Sequence, residues 1–159
     1  MLNNEEILLK VEHLCQYFGP TKAVDDVSFE VKRGQILGIA GVEGNGQNEL
    51  AECIFGFHKG VEGKIMFEGK NLLDETIMGI RKSGVYYIPE DRLTTGVATK
   101  VSIWENLVSD RIDKQELREK KLLSQKKIKD MSQKLIKDYT ILCRNENQEV
   151  GMLSGGNMQ

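Results

Sequence analysis

The hydrophobic positions of this chain change period along its length, and each change predicts an element. Residues 7–11 form a short apolar run. From 24 to 31 the pattern alternates in part, with Val27, Phe29 and Val31 on one side, as in a half-buried strand. Residues 36–40 are continuously apolar, which predicts a strand covered on both faces. Past a glycine-rich stretch, Leu50, Cys53, Ile54 and Phe57 recur at helical spacing. Residues 64–68 predict a strand and Glu68-Gly69-Lys70 a turn. A polar helix is expected over 74–82, and a further strand over 84–88, stopped by Pro89. Turns are expected at 16–20, which contains Gly19-Pro20, and at Arg33-Gly34. From Ser102 the spacing becomes helical, and Ile128, Met131, Leu135, Tyr139 and Leu142 make one apolar stripe. No internal repeat or low-complexity segment is present.

Composition narrows the class. The chain has 159 residues, 40% of them hydrophobic and 29% charged, which suits a soluble globular domain. No apolar run is long enough to span a membrane. The polar start, residues 1–6, does not read as a signal peptide. Three cysteines stand far apart without C-x-x-C spacing, so free thiols in a reducing cytosol are expected, and no zinc site. Charge is unevenly placed. Residues 1–110 carry 11 basic and 17 acidic side chains, whereas 111–137 carry 10 basic and 4 acidic. The basic charges lie mostly off the apolar stripe and read as a solvated helix face. Such a balance does not fit a general nucleic-acid binder.

The chemistry begins at Gly41-Val42-Glu43-Gly44-Asn45-Gly46. A predicted strand feeds this loop and a predicted helix leaves it. Unpaired N–H groups at the helix start, with the helix dipole, favour an anion there. Gly41 and Gly46 hold the spacing of the phosphate-binding pattern G-x-x-x-x-G-K-[ST]. Gln47 stands at the lysine position and Asn48 at the hydroxyl position. A neutral amide replaces a full charge, so a weakened phosphate site is expected.

A second glycine motif, Leu153-Ser154-Gly155-Gly156-Asn157-Met158-Gln159, begins its serine 108 residues after Gly46. Alone it would pass for an ordinary helix cap. With the first loop and a helical segment between them, it resembles the L-S-G-G-x-x-Q signature of the ATP-binding-cassette ATPases. Glu90 and the surrounding Tyr87-Ile88-Pro89-Glu90-Asp91-Arg92 fall where that family has its Q-loop, with glutamate in place of glutamine. Phe18, in Tyr17-Phe18-Gly19, falls at the aromatic that stacks on adenine. Residues 102–107 resemble the opening of the helical subdomain, where Trp104 is a packing residue. The combination G-V-E-G-N-G-Q, P-E-D-R and L-S-G-G-N is similar to the second, C-terminal cassette of tandem-cassette importers for simple sugars and nucleosides.

That resemblance implies an α/β fold: a truncated P-loop NTPase of the ABC ATPase type, with an antiparallel β subdomain and a helical arm. It implies a nucleotide-binding β and P-loop core over 1–101 and a helical signature subdomain over 102–159. Phe18, Gly41, Gly44, Asn45, Gly46, Gln47, Asn48 and Glu90 would face nucleotide. Ser154, Gly155, Gly156, Asn157 and Gln159 would contact ATP held by the opposite cassette. ATP and Mg²⁺ are the implied cofactors, both expected to bind weakly. The implied partners are a cassette with an intact P-loop and transmembrane permease subunits, at the cytoplasmic face of the plasma membrane.

The family also needs a strand of four apolar residues followed by Asp and Glu, and later a histidine. Neither occurs after the signature here; His13 and His58 lie upstream. The chain therefore reads as part of a cassette with no catalytic residue, expected to hydrolyse no ATP alone although its parent is implied to be an ATPase. Uncovered apolar strands predict self-association of the isolated segment. Two alternatives stand beside this reading: a cassette ATPase of DNA repair or chromosome maintenance, whose arm would be a long coiled coil, and a non-hydrolytic regulatory module. The absence of N-K-x-D disfavours a GTPase.

Overall fold

Strand pairing, rather than local pattern, decides how the first third of the molecule is built. The computed structural model describes residues 6–112 and 114–158. Gln159 and residues 1–5, on which parts of the sequence reading fall, lie outside them. Two compact units are formed, one ending at Tyr87 and one beginning at Ile88.

In the first unit, strands β1 (Ile7–Phe18) and β2 (Thr21–Lys32) pair antiparallel. Strand β3 (Glu62–Phe67) pairs antiparallel with the other edge of β1, and a short β4 (Lys70–Asn71) closes the sheet in the order β2-β1-β3-β4. β1 is much longer than the apolar run 7–11 suggests. The ladder continues through Gln16↔Val24 and Phe18↔Thr21, so the expected turn over 16–20 shrinks to Gly19-Pro20. The turn at Glu68-Gly69 is present, both residues taking positive φ, as a two-residue hairpin requires. Helix α1 (Gln47–Phe55) packs Leu50, Cys53 and Phe55 into a core with Val11, Leu14, Val24 and Ile65. The polar helix expected over 74–82 is interrupted. A single 3₁₀ turn at Leu72–Asp74 precedes α2 (Ile77–Lys82), which starts where the Thr76 hydroxyl accepts from Gly79 N.

Two predicted strands do not form. Residues 36–40 and 85–88 run without ladder partners among the described residues. Ile36 is 97% exposed, and Tyr86 and Ile88 are 67% and 77% exposed. Val85 and Tyr87 still turn inward onto the core, Tyr87 against Phe55 and Phe57 with ring centroids 5.9 and 5.6 Å apart. The alternation of a strand is therefore present without the strand. An apolar run supplies side chains for burial, but its N–H and C=O groups need a neighbour to make a sheet.

The second unit is mainly helical. Helix α3 (Ile103–Val108) opens with a capping box in which Ser102 and Glu105 satisfy each other's backbone N–H groups. A small hairpin of β5 (Arg118–Glu119) and β6 (Leu122–Leu123) leads into α4 (Gln125–Asp138). Ile103, Val150 and Leu153 form one core and Val108, Leu117 and Ile128 another. The lysines of α4 are exposed, as a solvated face requires. The predicted stripe is cut short. Thr140, at φ 55°, reverses the chain, while Thr140 N and Ile141 N donate to the carbonyls of Lys137 and Ile136. This stop leaves Tyr139 and Leu142 about three-quarters exposed (76% and 74%) and turns Ile141 inward instead.

Candidate functional site

The glycine loop lies where the sequence places it, directly before α1. Gly44 and Gly46 take φ of 84° and 90°, which a side chain would disfavour. Gly46 has a second constraint. A Cβ there would collide with the carbonyl oxygen of Ala23 on β2, so the loop is pressed against the sheet by the absence of a side chain. Gly46 O accepts from Leu50 N at 2.8 Å, the first bond of α1.

Gln47 is not idle in the lysine position. Its Nε2 donates to Val42 O at 3.2 Å and lies over Gly41, where any Cβ would meet it. Asn45 N donates to the same carbonyl at 3.2 Å. The amide thus staples the loop into a ring but brings no charge. Asn48 follows on α1 and is exposed.

A cavity of about 430 Å³ adjoins the loop, lined by Gly41, Asn45, Gly46 and Gln47 together with Lys22 and Asp25. Lys22 is the residue that sequence reasoning missed here. Nothing local marks it, because its position depends on β2 lying beside the loop. Its Nζ sits 3.0 Å from Asp25 Oδ2 and 5.5 Å from the centre of the Tyr17 ring. Asp25 also accepts from Tyr17 Oη at 2.7 Å. The bonds from Tyr17 and Lys22 hold the Asp25 carboxyl below its usual range. The cation beside the loop is therefore already neutralised.

Phe18 ends β1 and is 45% exposed, with its ring 5.2 Å from that of His58 in an edge contact. His58 Nε2 lies 2.8 Å from Glu52 Oε2, so this ring pair is anchored to α1. Glu90 belongs to the second unit and is exposed.

The signature segment forms a short turn of helix, α5 (Gly155–Met158). Ser154 O accepts from Asn157 N and Met158 N, and Ser154 Oγ accepts from Asn157 Nδ2 at 2.7 Å. Asn157 Oδ1 accepts from Leu142 N at 2.8 Å. Asn157 therefore ties the signature serine to the loop after α4. Gly156 faces open space, whereas Gly155 is covered by Arg92: a Cβ on Gly155 would lie 2.7 Å from Arg92 Nη2 and 3.1 Å from its Cζ. Sequence reasoning noted Arg92 only as part of its motif. The contact spans residues 63 positions apart, and no local pattern reports it.

The donor set can be tested against ATP and Mg²⁺. The loop offers glycine backbone and a helix start for phosphate, but no cation of its own. For magnesium the fit is poor, since amides stand at both Gln47 and Asn48. Among the described residues no group of three His, Cys, Asp or Glu is placed to hold a metal.

The profile of the ABC transporter family matches residues 24–159. The galactose/methyl galactoside import ATP-binding protein MglA of Haemophilus influenzae is 36% identical over 98% of this chain and 30% of its own length. The guanosine import ATP-binding protein NupO of Bacillus subtilis is 36% identical over 87% of this chain and 27% of its own. A solved nucleotide-free ATP-binding cassette from an ABC transporter superposes with a TM-score of 0.70 at 28% identity, covering 96% of this chain and 61% of that one. The chain spans about a third of the length of the curated relatives it matches.

Proposed function

Since this chain belongs to the ABC transporter family, we propose that it is part of the second cassette of an importer ATPase for simple sugars or nucleosides. Its glycine loop is a weakened nucleotide site, and its signature segment serves the nucleotide of a partner cassette with an intact P-loop. The observation that carries this is the neutral Gln47 staple, 3.2 Å from Val42 O, beside a lysine already paired with Asp25. Relatives named for galactoside and guanosine import support the substrate classes.

ATP, when bound, would present its phosphates to the backbone of Gly44 to Gln47, with Phe18 available to the base. Asn45 and Gln47 would orient rather than neutralise it. No step is routed through magnesium, which these side chains suit poorly. Among the described residues no helix is long and apolar enough to cross a membrane; permease subunits would supply the membrane path, with the cassette on its cytoplasmic side. The longest described helix has 14 residues, which favours transport over a chromosome-maintenance cassette with a coiled-coil arm. Exposed Ile36, Tyr86 and Ile88 support self-association of the isolated segment. A monomer by light scattering at high concentration would overturn that part.

Calorimetry with Mg·ATP tests the loop. The pair Gln47→Lys and Asn48→Thr should tighten binding by about tenfold or more, the value of turning a neutral contact into a charge-assisted one. Turnover should stay absent in the isolated segment. Unchanged affinity would remove the weakened-loop reading.

A further inference from the structure

Arg92 and Gly155 meet although 63 positions separate them in the chain. Arg92 opens a tight turn of π-helical form (Arg92–Gly96) that follows the Q-loop position. Asp91 holds that turn rigidly. Its carboxylate accepts from Leu93 N at 2.9 Å and Thr94 N at 3.2 Å, and the Thr94 hydroxyl donates to its other oxygen. These bonds keep the Asp91 carboxyl below its usual range. Arg92 O is fixed as well, accepting from Val97 N at 3.0 Å. The backbone carrying Arg92 is therefore set in one place.

The tip of its side chain lies against Gly155, the first residue of α5, where an added Cβ would sit 2.7 Å from Nη2. Among the described residues the guanidinium has neither an ion-pair partner nor a hydrogen-bond acceptor, although it is exposed. Asp91, its neighbour, is spent on the turn. The five-donor guanidinium of Arg92 lies next to Gly155, which follows Ser154, whose hydroxyl accepts from Asn157. Arginine in such a position suits the flat, multidentate recognition of phosphate.

We infer that Arg92 is a phosphate-contacting residue of the signature surface, adding a positive charge beside Ser154 and Gly155 toward the terminal phosphate of a nucleoside triphosphate held by a partner cassette. This rests on the reading of the signature given under the proposed function. It assigns to the P-E-D-R motif a role in the trans site rather than only a turn.

The test uses the full-length protein with its partner subunits, and ATP and ADP as probes. Arg92→Gln should raise the KM for ATP by about tenfold, the value of a hydrogen bond to a charged group, and leave ADP affinity unchanged. Arg92→Lys should recover part of the loss, since it keeps the charge but not the fork. Ser154→Ala serves as the control for the signature reading itself. If Ser154→Ala impairs turnover while Arg92→Gln leaves KM and kcat intact, the Arg92 inference fails and the signature reading stands. If neither variant changes turnover, both fail. Equal weakening of ATP and ADP, or a loss of thermal stability alone, would make Arg92 structural and overturn the inference. Should Arg92→Gln not fold, the same ATP-to-ADP criterion is applied to Arg92→Lys.

Discussion

The two glycine motifs of this chain treat positive charge in opposite ways. At the loop before α1, the lysine position holds Gln47, whose amide is consumed by Val42 O, and the nearby Lys22 is balanced by Asp25. At the signature segment, Arg92 lies across Gly155 and has no counter-charge among the described residues. Both motifs crowd a glycine, but against different things. Gly46 faces a backbone carbonyl that cannot move, whereas Gly155 faces the end of a flexible side chain. One loop is closed on itself, and the other keeps a cation available.

The largest effect that should separate them is a methyl group. Gly46→Ala drives Cβ into Ala23 O at a positive φ, and should cost about 3 kcal/mol or more in urea unfolding. Gly44→Ala, at φ 84° with open space, should cost only about 1 kcal/mol. Gly155→Ala should cost less still, because Arg92 can swing aside. Equal losses at 46 and 155 would break the contrast between rigid and soft crowding.

Thiol labelling sharpens it from another side. Burial pushes the Cys53 thiol, behind the glycine loop on α1, up to about 11. Cys53 should therefore react on the order of a hundredfold more slowly at pH 8 than an ordinary exposed thiol. Cys143, in the signature unit, is raised by burial too but is only half-buried, and should react first of the two. Labelling in the reverse order would mean that α1 opens more readily than the signature core.

A smaller gain is expected from Thr140→Gly, about 0.5 kcal/mol. It removes a β-branched residue from φ 55° at the end of α4 and offsets that with chain entropy. A loss of stability would show that the Thr140 side chain holds the loop beside Asn157.

The smallest effect concerns pH. The folded state depresses the Asp91 carboxyl, chiefly through the Thr94 hydroxyl. That contribution is complete above the usual carboxylate range and is lost as pH falls through the folded value, below about pH 4. Protection of the Leu93 and Thr94 amides, relative to their intrinsic exchange at each pH, should fall there in the native protein and stay flat with pH in Asp91→Asn. Protection that is lower at neutral pH than in acid would contradict the sign.

Much of this was legible beforehand, for local reasons. The helix after the glycine loop, the strand at 64–68 and the turn at Glu68-Gly69 follow from period and turn chemistry within a few residues. The capping pair Ser102 and Glu105 lies only three residues apart. What misled was any feature needing a distant neighbour. Residues 36–40 and 84–88 have strand composition, yet no described strand pairs with them. Gln16 to Phe18 looks like a turn in isolation but is strand because Thr21 to Val24 lies opposite. Tyr139 and Leu142 fit the helical stripe, but the reversal at Thr140 leaves them outside.

By itself, then, the sequence determined the order glycine loop, helix and signature, and the residue types at each motif. Those are properties of short segments, set by side-chain chemistry and backbone freedom over one or two turns. Only the tertiary structure decided that Gln47 closes its own loop, that Lys22 arrives already neutralised, and that Arg92 covers Gly155. Charge at a site depends on what lies within a few ångströms in space. For Arg92 and Gly155 that neighbour is 63 positions away along the chain.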